Sequence, residues 1–286
     1  MKLVQFEGEG GPSFGLYRDD GVVDLRARLP YTDMNALLAD PEGLASARQH
    51  EDRAADISLS AISKWLPPVT RPSKIFCIGV NYDEHRKETG RAVSSYPTVF
   101  ARFAHTLVGH QQPLIRPDVS DRFDFEGELA VIMGRGGRRI AADDALKHIA
   151  GYACFNDASV RDYQKHTAQI TPGKNFDQTG GLGPWLLTAD EVADPAALHL
   201  ETRIGREVMQ SAPTDQMIFS IPVLIEYLSS FCTLVPGDLI ATGTPSGVGD
   251  QRTPPRYMKP GETVSVHIKG VGMLENPIAA EDVAHA

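Results

Sequence analysis

The chain has 286 residues, 42% of them hydrophobic, which is enough for one large domain with an appendage or for two modest domains. Its 37 acidic and 28 basic residues give a formal net charge of −9, which disfavours nucleic acid and anionic membrane surfaces as partners. The sequence has no run of about 18 apolar residues that could span a membrane. Three isolated cysteines, Cys77, Cys154 and Cys232, indicate a reducing compartment, so we predict a cytoplasmic protein.

The first part of the chain alternates polar and apolar residues in short segments and then becomes weakly helical. This pattern predicts strands over Lys2–Glu7, Phe14–Arg18 and Val22–Leu25. Prolines at 67, 68 and 72 are typical of a linker. We therefore predict a small N-terminal α/β domain over residues 1–68 and a main domain over residues 69–286.

A strand predicted over Lys74–Ile78 leads into a short helix with two candidate catalytic side chains. Asn81 is predicted to cap this helix, with Glu84 at the capping-box position, and Gly90 to end it. His85 and Glu88 then share one face, where the carboxylate could orient the imidazole as a general base. An ordinary surface pair on a helix is the alternative.

The segment Phe125–Met133 is predicted as a strand with apolar residues on both faces, yet it begins with Glu126 and Glu128. Buried carboxylates need compensation by protonation, by protein cations or by a metal ion. Asp157, after the apolar run that starts at Ile149, supplies a third acid. Three carboxylates suit Mg²⁺ or Mn²⁺. The alternatives are a solvent-exposed strand edge and, for Asp157, a helix N-cap.

Further candidates follow in chain order. Arg161 and Gln164 are three residues apart on a helix predicted to begin beside Asp157, so both could reach a ligand there. Lys174 could offset the excess negative charge and hold a developing enolate. The turn after Ala241 is rich in glycine and threonine and could direct N–H groups at a carboxylate. Each of these also has an ordinary alternative, as a solvated side chain or a tight turn.

Short strands dominate the remaining pattern and are predicted over Thr98–Phe103, Ile149–Phe155, Trp185–Thr188, Leu198–Ile204, Leu239–Thr242 and Thr263–Ile268. The clearest helix is predicted from Ser220 to Phe231, with Pro222 in its first turn. Because strands and helices do not alternate regularly, the pattern favours an α+β, β-rich roll or sandwich. No P-loop or dinucleotide fingerprint is present, which argues against a nucleotide cofactor.

Several motifs occur in order along the main domain. They are Gly-x-Asn-Tyr-x-x-His-x-x-Glu at 79–88, Glu-x-Glu at 126–128, Asn-Asp-x-Ser-x-Arg-Asp-x-Gln at 156–164, Gly-Lys-x-Phe-Asp at 173–177, Leu-Gly-Pro-Trp at 182–185, and Pro-Gly-Asp-x-Ile-Ala-Thr-Gly-Thr-Pro-x-Gly-Val-Gly at 236–249. Together they resemble the fumarylacetoacetate hydrolase family over about residues 74–280. The resemblance implies a mixed β-roll, usually as a homodimer, that binds one Mg²⁺ or Mn²⁺ per subunit.

The resemblance also implies roles for individual residues. Glu126, Glu128 and Asp157 correspond to metal ligands. His85 and Glu88 correspond to a water-activating pair, and Lys174 to an enolate-stabilising cation. Substrate contacts are implied or expected for Arg161, Gln164, Thr244, Arg102 and Tyr163, with Arg102 standing where many relatives have lysine.

The functional hypothesis from the sequence is hydrolysis of a carbon–carbon bond in a β-diketo acid of the acylpyruvate type, giving pyruvate and a carboxylic acid. One alternative uses the same enolate without water, as a decarboxylase or a tautomerase of oxaloacetate-like keto acids or dienoates. A second alternative is a noncatalytic protein that binds keto acids.

Overall fold

The computed structural model describes residues 1–282 as a strand-rich protein. Within these residues the strands are β1 (Lys2–Gly8), β2 (Gly11–Arg18), β3 (Gly21–Asp24), β4 (Ile62–Leu66), β5 (Ile75–Gly79), β6 (Thr98–Arg102), β7 (Leu107–Val108), β8 (Leu114–Arg116), β9 (Phe123–Asp124), β10 (Gly127–Met133), β11 (Ile149–Asp157), β12 (Ser159–Val160), β13 (Gly180–Thr188), β14 (His199–Ile204), β15 (Glu207–Pro213), β16 (Leu239–Ala241), β17 (Thr263–Ile268) and β18 (Gly272–Ala280). The helices are α1 (Met34–Ala39), α2 (Gly43–Arg48), α3 (Asp83–Glu88), α4 (Arg161–Gln164), α5 (Thr171–Lys174) and α6 (Ile221–Phe231). The predicted α+β, β-rich class is confirmed.

Most strands belong to two sheets. The larger sheet has 11 strands in the order β3-β2-β1-β13-β11-β10-β16-β5-β6, with β4 joined to β1 and β7 to β13. The second sheet has five strands in the order β15-β14-β17-β18-β8, and β9 pairs with β12 in a separate ribbon. Strands β14, β17 and β18 pack against β10, β11 and β13, so the two sheets form a sandwich.

The N-terminal segment continues the larger sheet. Strand β1 pairs antiparallel with β13, with Lys2 opposite Leu187. Side chains from β1, β2 and α1, among them Leu3, Phe14 and Leu37, are buried in the same core as Ile132 of β10. The boundary predicted at residue 68 therefore separates segments that share one sheet, and the division into two domains stays a prediction.

Strand β10 lies between two hydrophobic cores. Leu129, Val131 and Met133 point to the core that contains α6 and the second sheet, whereas Ala130 and Ile132 point to the core formed with the N-terminal segment. All seven residues of β10 are buried. Burial of each large aliphatic side chain contributes about 1.5–3 kcal/mol, so the strand is a rigid support for the acids at its start.

Helix α6 confirms the predicted spacing of apolar residues. Ile221, Leu224, Ile225 and Leu228 are buried, and Pro222 lies in the first turn. Ser220 occupies the N-cap position, but its side chain makes no capping hydrogen bond. No helix within residues 1–282 has the length and apolar character needed to cross a membrane.

Candidate metal centre and active site

Three buried carboxylates meet at one end of the β10–β11 pair. Glu128 lies on β10 and Asp157 is the last residue of β11, which pairs antiparallel with β10. One ligand oxygen from each of Glu126, Glu128 and Asp157 lies within 4.8 Å of the others. Their exposed fractions are 6%, 1% and 0%. The convergence predicted for these acids is therefore present, and the exposed-edge and N-cap alternatives do not describe it.

Glu126 reaches the cluster from the short segment between β9 and β10, and not from within a continuous strand. Strand β9 ends at Asp124 and β10 begins at Gly127, so the single strand predicted over Phe125–Met133 is wrong at its start. The Asn156 side chain accepts the Glu126 N–H at 3.0 Å, and the Gln210 side chain accepts the Gly127 N–H at 2.9 Å. These side chains provide hydrogen-bond acceptors for the backbone N–H groups where the strand pairing is interrupted.

Protein cations compensate two of the three acids. The Lys174 ammonium lies 2.7 Å from Glu126 Oε2 and 2.6 Å from Asp157 Oδ2, and Arg161 Nη1 lies 2.7 Å from Glu126 Oε1. Arg102 Nη1 lies 2.5 Å from Asp157 Oδ1. Burial raises the pKa of Glu126, but Lys174 and Arg161 outweigh it and lower that pKa to about 2. Burial lowers the pKa of Lys174, and the two carboxylates outweigh this to give a raised pKa.

Glu128 is the acid without such compensation. Its Oε2 accepts the Gly243 N–H at 3.0 Å. Burial, followed by the charges of Asp157 and Glu126, raises the pKa of Glu128 well above its usual value. A divalent cation among the three carboxylates would remove this imbalance. An all-oxygen, buried donor set of this kind fits a hard divalent metal ion.

Helix α3 holds the candidate base beside the carboxylates. His85 Nδ1 lies 2.8 Å from Glu88 Oε2, and Glu88 Oε1 accepts the Gly247 N–H at 2.9 Å. His85 is only 6% exposed, so the pair is not an ordinary surface pair. With Nδ1 held by the carboxylate, Nε2 is the ring nitrogen available for proton transfer.

The start of α3 differs from its prediction. Tyr82 occupies the N-cap position, and Glu84 pairs with Lys87 at 2.6 Å, so neither the Asn81 cap nor the capping box forms. The fully buried Asn81 side chain instead donates to the carbonyl oxygens of Phe219 and Thr242, at 3.0 and 2.8 Å. Asn81 thereby ties α3 to loops around the carboxylates. Gly90, with φ +64°, ends the helix as predicted.

A cavity of about 830 Å³ opens over the carboxylates. The expected site residues that line it are His85, Glu126, Glu128, Arg161, Gln164, Lys174 and Thr244. Lys174 belongs to the short helix α5 and is 1% exposed, so it is not a solvated loop residue. Thr244 Oγ1 donates to the Gly127 carbonyl at 2.9 Å and accepts from Gln210 Nε2 at 2.7 Å.

Two residues expected at the substrate lie elsewhere. The Arg102 side chain is fully buried behind the cluster, where it binds Asp157, the Ala158 carbonyl and Thr179. Its guanidinium reaches Asp157 Oδ1, and Arg102 is not among the residues that line the cavity. Tyr163 packs edge-on against Phe176, with ring centroids 5.0 Å apart, and is also outside that wall.

Comparison with known proteins agrees with this geometry. Residues 74–279 match the family described as fumarylacetoacetate (FAA) hydrolase C-terminal. The chain belongs to the fumarylacetoacetate hydrolase family. The resemblance seen in the sequence is thus confirmed. The members of this family are enzymes, so the chain is a family enzyme.

Named relatives cover nearly the whole chain. It is 40% identical over 287 residues to the mitochondrial oxaloacetate tautomerase FAHD2A of Bos taurus, covering 97% of this chain and 91% of the relative. It is 43% identical over 225 residues to the oxaloacetate tautomerase YisK of Bacillus subtilis, covering 77% and 74%. The crystal structure of maleylpyruvate hydrolase from Sphingobium sp. SYK-6, in complex with manganese(II) and pyruvate, superposes with a TM-score of 0.82 at 31% identity and covers 99% and 100% of the two chains. The cytoplasmic location stays a prediction.

Proposed function

We propose that this protein is a divalent-metal-dependent oxaloacetate tautomerase, which interconverts the enol and keto forms of the acid. The observation that carries the proposal is that His85, which is held by Glu88, lines one cavity together with Glu126 and Glu128 of the three-carboxylate cluster. The oxaloacetate tautomerases at about 40% identity support this choice over the hydrolase that the sequence first suggested. We propose Mg²⁺ or Mn²⁺ as the ion, one per subunit, with a homodimer as the assembly.

Glu126, Glu128 and Asp157 would hold the ion. When bound, it would supply positive charge beside the oxygen that becomes negative during the reaction. Lys174 directs its ammonium at Glu126 and Asp157, and it helps to lower the pKa of Glu126. It also adds positive charge to the side of the cavity where an enolate oxygen would lie.

The proton transfer is assigned to His85. In the keto-to-enol direction, Nε2 takes a proton from C3 of oxaloacetate, the C–H electrons form the C2–C3 double bond, and the C2–O π electrons move to the C2 oxygen. The protonated His85 ring then delivers its proton to that oxygen, which restores the neutral ring. The reverse direction returns the proton to C3. Glu88 holds Nδ1 and stabilises the protonated ring between these steps. Arg161, Gln164 and Thr244 line the same cavity and are proposed to contact the substrate.

Hydrolysis of an acylpyruvate is the second candidate function. The relative crystallised with manganese(II) and pyruvate is a maleylpyruvate hydrolase, and a histidine oriented by a carboxylate can also deprotonate water. Decarboxylation of oxaloacetate and noncatalytic binding of a keto acid are the remaining possibilities. Arg102 and Tyr163 do not line the cavity. They stay proposed as substrate contacts only for a ligand whose binding moves the residues of the cavity wall.

One set of assays separates these functions. Loss of the ultraviolet absorbance of enol-oxaloacetate measures tautomerisation, release of carbon dioxide measures decarboxylation, and pyruvate release from maleylpyruvate measures hydrolysis. We expect fast loss of the enol with Mg²⁺ or Mn²⁺, no acceleration with a chelator, and normal rates in the surface control His267→Gln. Pyruvate release without enol conversion would overturn the tautomerase proposal and support hydrolysis.

A further inference from the structure

Asp124 is a buried carboxylate beside the site that neither lines the cavity nor belongs to the metal-binding group. Its Oδ1 accepts the N–H groups of Phe125 and Gly249 at 2.9 and 2.8 Å. Its Oδ2 accepts Arg161 Nε at 2.8 Å and the Asp250 N–H at 2.9 Å. A carboxylate has about four acceptor positions, so these donors use all of them.

One of these four hydrogen bonds, from Arg161 Nε to Asp124, sets the position of the Arg161 guanidinium. The guanidinium is planar, so fixing Nε fixes the directions of the other nitrogens. With Nε on Asp124, Nη1 lies 2.7 Å from Glu126 and 2.9 Å from Gln164 Oε1. Nη2 is buried and has no hydrogen-bond partner within residues 1–282. Asp124 thus determines which nitrogens of Arg161 face the centre.

Two other donors, the N–H groups of Gly249 and Asp250, hold a loop that forms part of the cavity wall. A Cβ atom on Gly249 would lie 2.5 Å from Asp124 Oδ1 and 1.9 Å from the Arg256 carbonyl oxygen, so the loop approaches the carboxylate as closely as glycine allows. The next residue, Asp250, lines the cavity and accepts Lys165 Nζ at 2.7 Å. The same loop supplies the Gly247 N–H that holds Glu88.

We propose that Asp124 is a positioning residue for substrate binding, which fixes the Arg161 guanidinium and the backbone at 249–250 without touching substrate or metal. The inference rests on the proposed function only in taking Arg161 as a contact of the oxo acid. Burial raises the pKa of Asp124, and Arg161 and the Asp250 N–H oppose this shift. A purely structural carboxylate would stabilise the fold without affecting ligand affinity.

Asp124→Asn tests the proposal, because an amide nitrogen cannot accept the two donors that one oxygen now receives. We expect a loss of about 10- to 100-fold in kcat/KM, mainly through a higher KM, with the affinity for Mn²⁺ unchanged. Hydrogen exchange at the Gly249 and Asp250 amides should become faster. Unchanged KM and unchanged exchange in a folded variant would overturn the proposal.

Asp238→Asn is the matched control, since Asp238 is also fully buried and binds backbone N–H groups but lies outside the cavity wall. This control should keep the wild-type KM. If both variants change KM equally, the effect is a general consequence of losing a buried carboxylate, and the proposal is wrong.

Arg161→Lys provides a second approach. An unchanged KM in this variant would overturn the proposal whether or not Asp124→Asn folds. Lysine keeps a positive charge near Glu126 but lacks the Nε–H donor. We expect it to raise KM without changing amide exchange at 249–250, and to make the effects of the two substitutions on KM non-additive. Fully additive effects would contradict a role for Asp124 through Arg161.

Pyruvate binding to the Mn²⁺-loaded protein, measured by calorimetry, separates this inference from the proposed function. Wild-type protein that binds pyruvate but does not convert the enol would refute the tautomerase proposal. Weaker pyruvate binding by Asp124→Asn, but not by Asp238→Asn, would still support the positioning role. Equal binding by all three proteins would overturn it.

Discussion

Glu128 and Asp238 are both fully buried acids, but their surroundings differ. Asp238 accepts the N–H groups of Lys74 and Val235 at 3.0 and 2.8 Å, and its Oδ2 lies 2.8 Å from the Lys74 ammonium. Glu128 has the Gly243 N–H and two neighbouring carboxylates, and it faces a cavity. Asp238 therefore has its partners within the chain and supports the fold. Glu128 lacks a cationic partner within the chain, so we propose that a cation from outside completes it.

Glu128→Gln should produce one of the two largest effects on turnover, because it removes a proposed metal ligand. A bound ion would contribute several kcal/mol of transition-state stabilisation, so we expect turnover to fall on the order of 1000-fold. Steady-state rates at saturating Mg²⁺ measure this loss. Normal activity in Glu128→Gln would contradict the difference drawn between the two acids.

His85→Gln should reduce the rate by about 100- to 10,000-fold, because it removes the group that transfers the proton. The carboxylate cluster does not include His85, so binding of Mn²⁺ should persist. Rates and calorimetric titration on the same preparation measure both quantities. Loss of metal binding in this variant would place His85 among the ligands and alter the proposed mechanism.

Asp238→Asn should show the opposite behaviour to Glu128→Gln. Backbone donors left without a good acceptor cost about 1–3 kcal/mol, so the free energy of unfolding should fall while kcat stays near the wild-type value. Chemical denaturation and kinetics measure the two effects. A large loss of kcat without a loss of stability would show that Asp238 is not a purely structural acid.

The comparison also predicts a dependence of stability on pH in the presence of a chelator. The folded-state pKa of Glu128 lies above its ordinary value of 4.5, so its neutral form stabilises the fold at low pH. This contribution is lost as the pH rises through the folded-state pKa. Thermal unfolding should show declining stability as the pH rises above 4.5, and Mg²⁺ or Glu128→Gln should make that decline smaller.

The smallest effect is expected at His110, outside both acidic sites. Burial lowers its pKa to about 4, and its Nδ1 accepts the Glu275 N–H at 3.1 Å. The folded state therefore resists protonation, and stability should fall by about 1–3 kcal/mol as the pH decreases from its ordinary pKa toward the folded-state value. His110→Asn keeps an acceptor and should flatten that slope. An unchanged slope would exclude His110 as its source.

The sequence predicted the parts of this protein that depend on local periodicity. The burial of β10 on both faces and the apolar stripe of α6 follow from spacing alone. Strand β15 was missed because Glu207, Gln210 and Ser211 make it polar, although Gln210 is buried and holds Gly127 and Thr244. The break between β9 and β10 was missed because side chains distant in sequence stabilise it.

The site was predictable as a set of residue types but not in its detail. Glu128 and Asp157 converge because the antiparallel strands β10 and β11 place them together, and Glu126 joins them from the segment just before β10. Arg102 binds Asp157 and does not line the cavity because of where β6 lies in the sheet, and the local sequence pattern does not specify that position. Asp124 precedes Glu126 by two residues, but its four donors come from three separate segments.

Calorimetric titration of Mn²⁺ into chelator-treated protein tests the central claim most directly. We predict one ion per chain for the wild type and for Asp238→Asn, and no binding for Glu128→Gln. Equal Mn²⁺ affinity in the wild type and Glu128→Gln, or no binding by the wild type, would contradict the assignment of a metal centre to Glu126, Glu128 and Asp157.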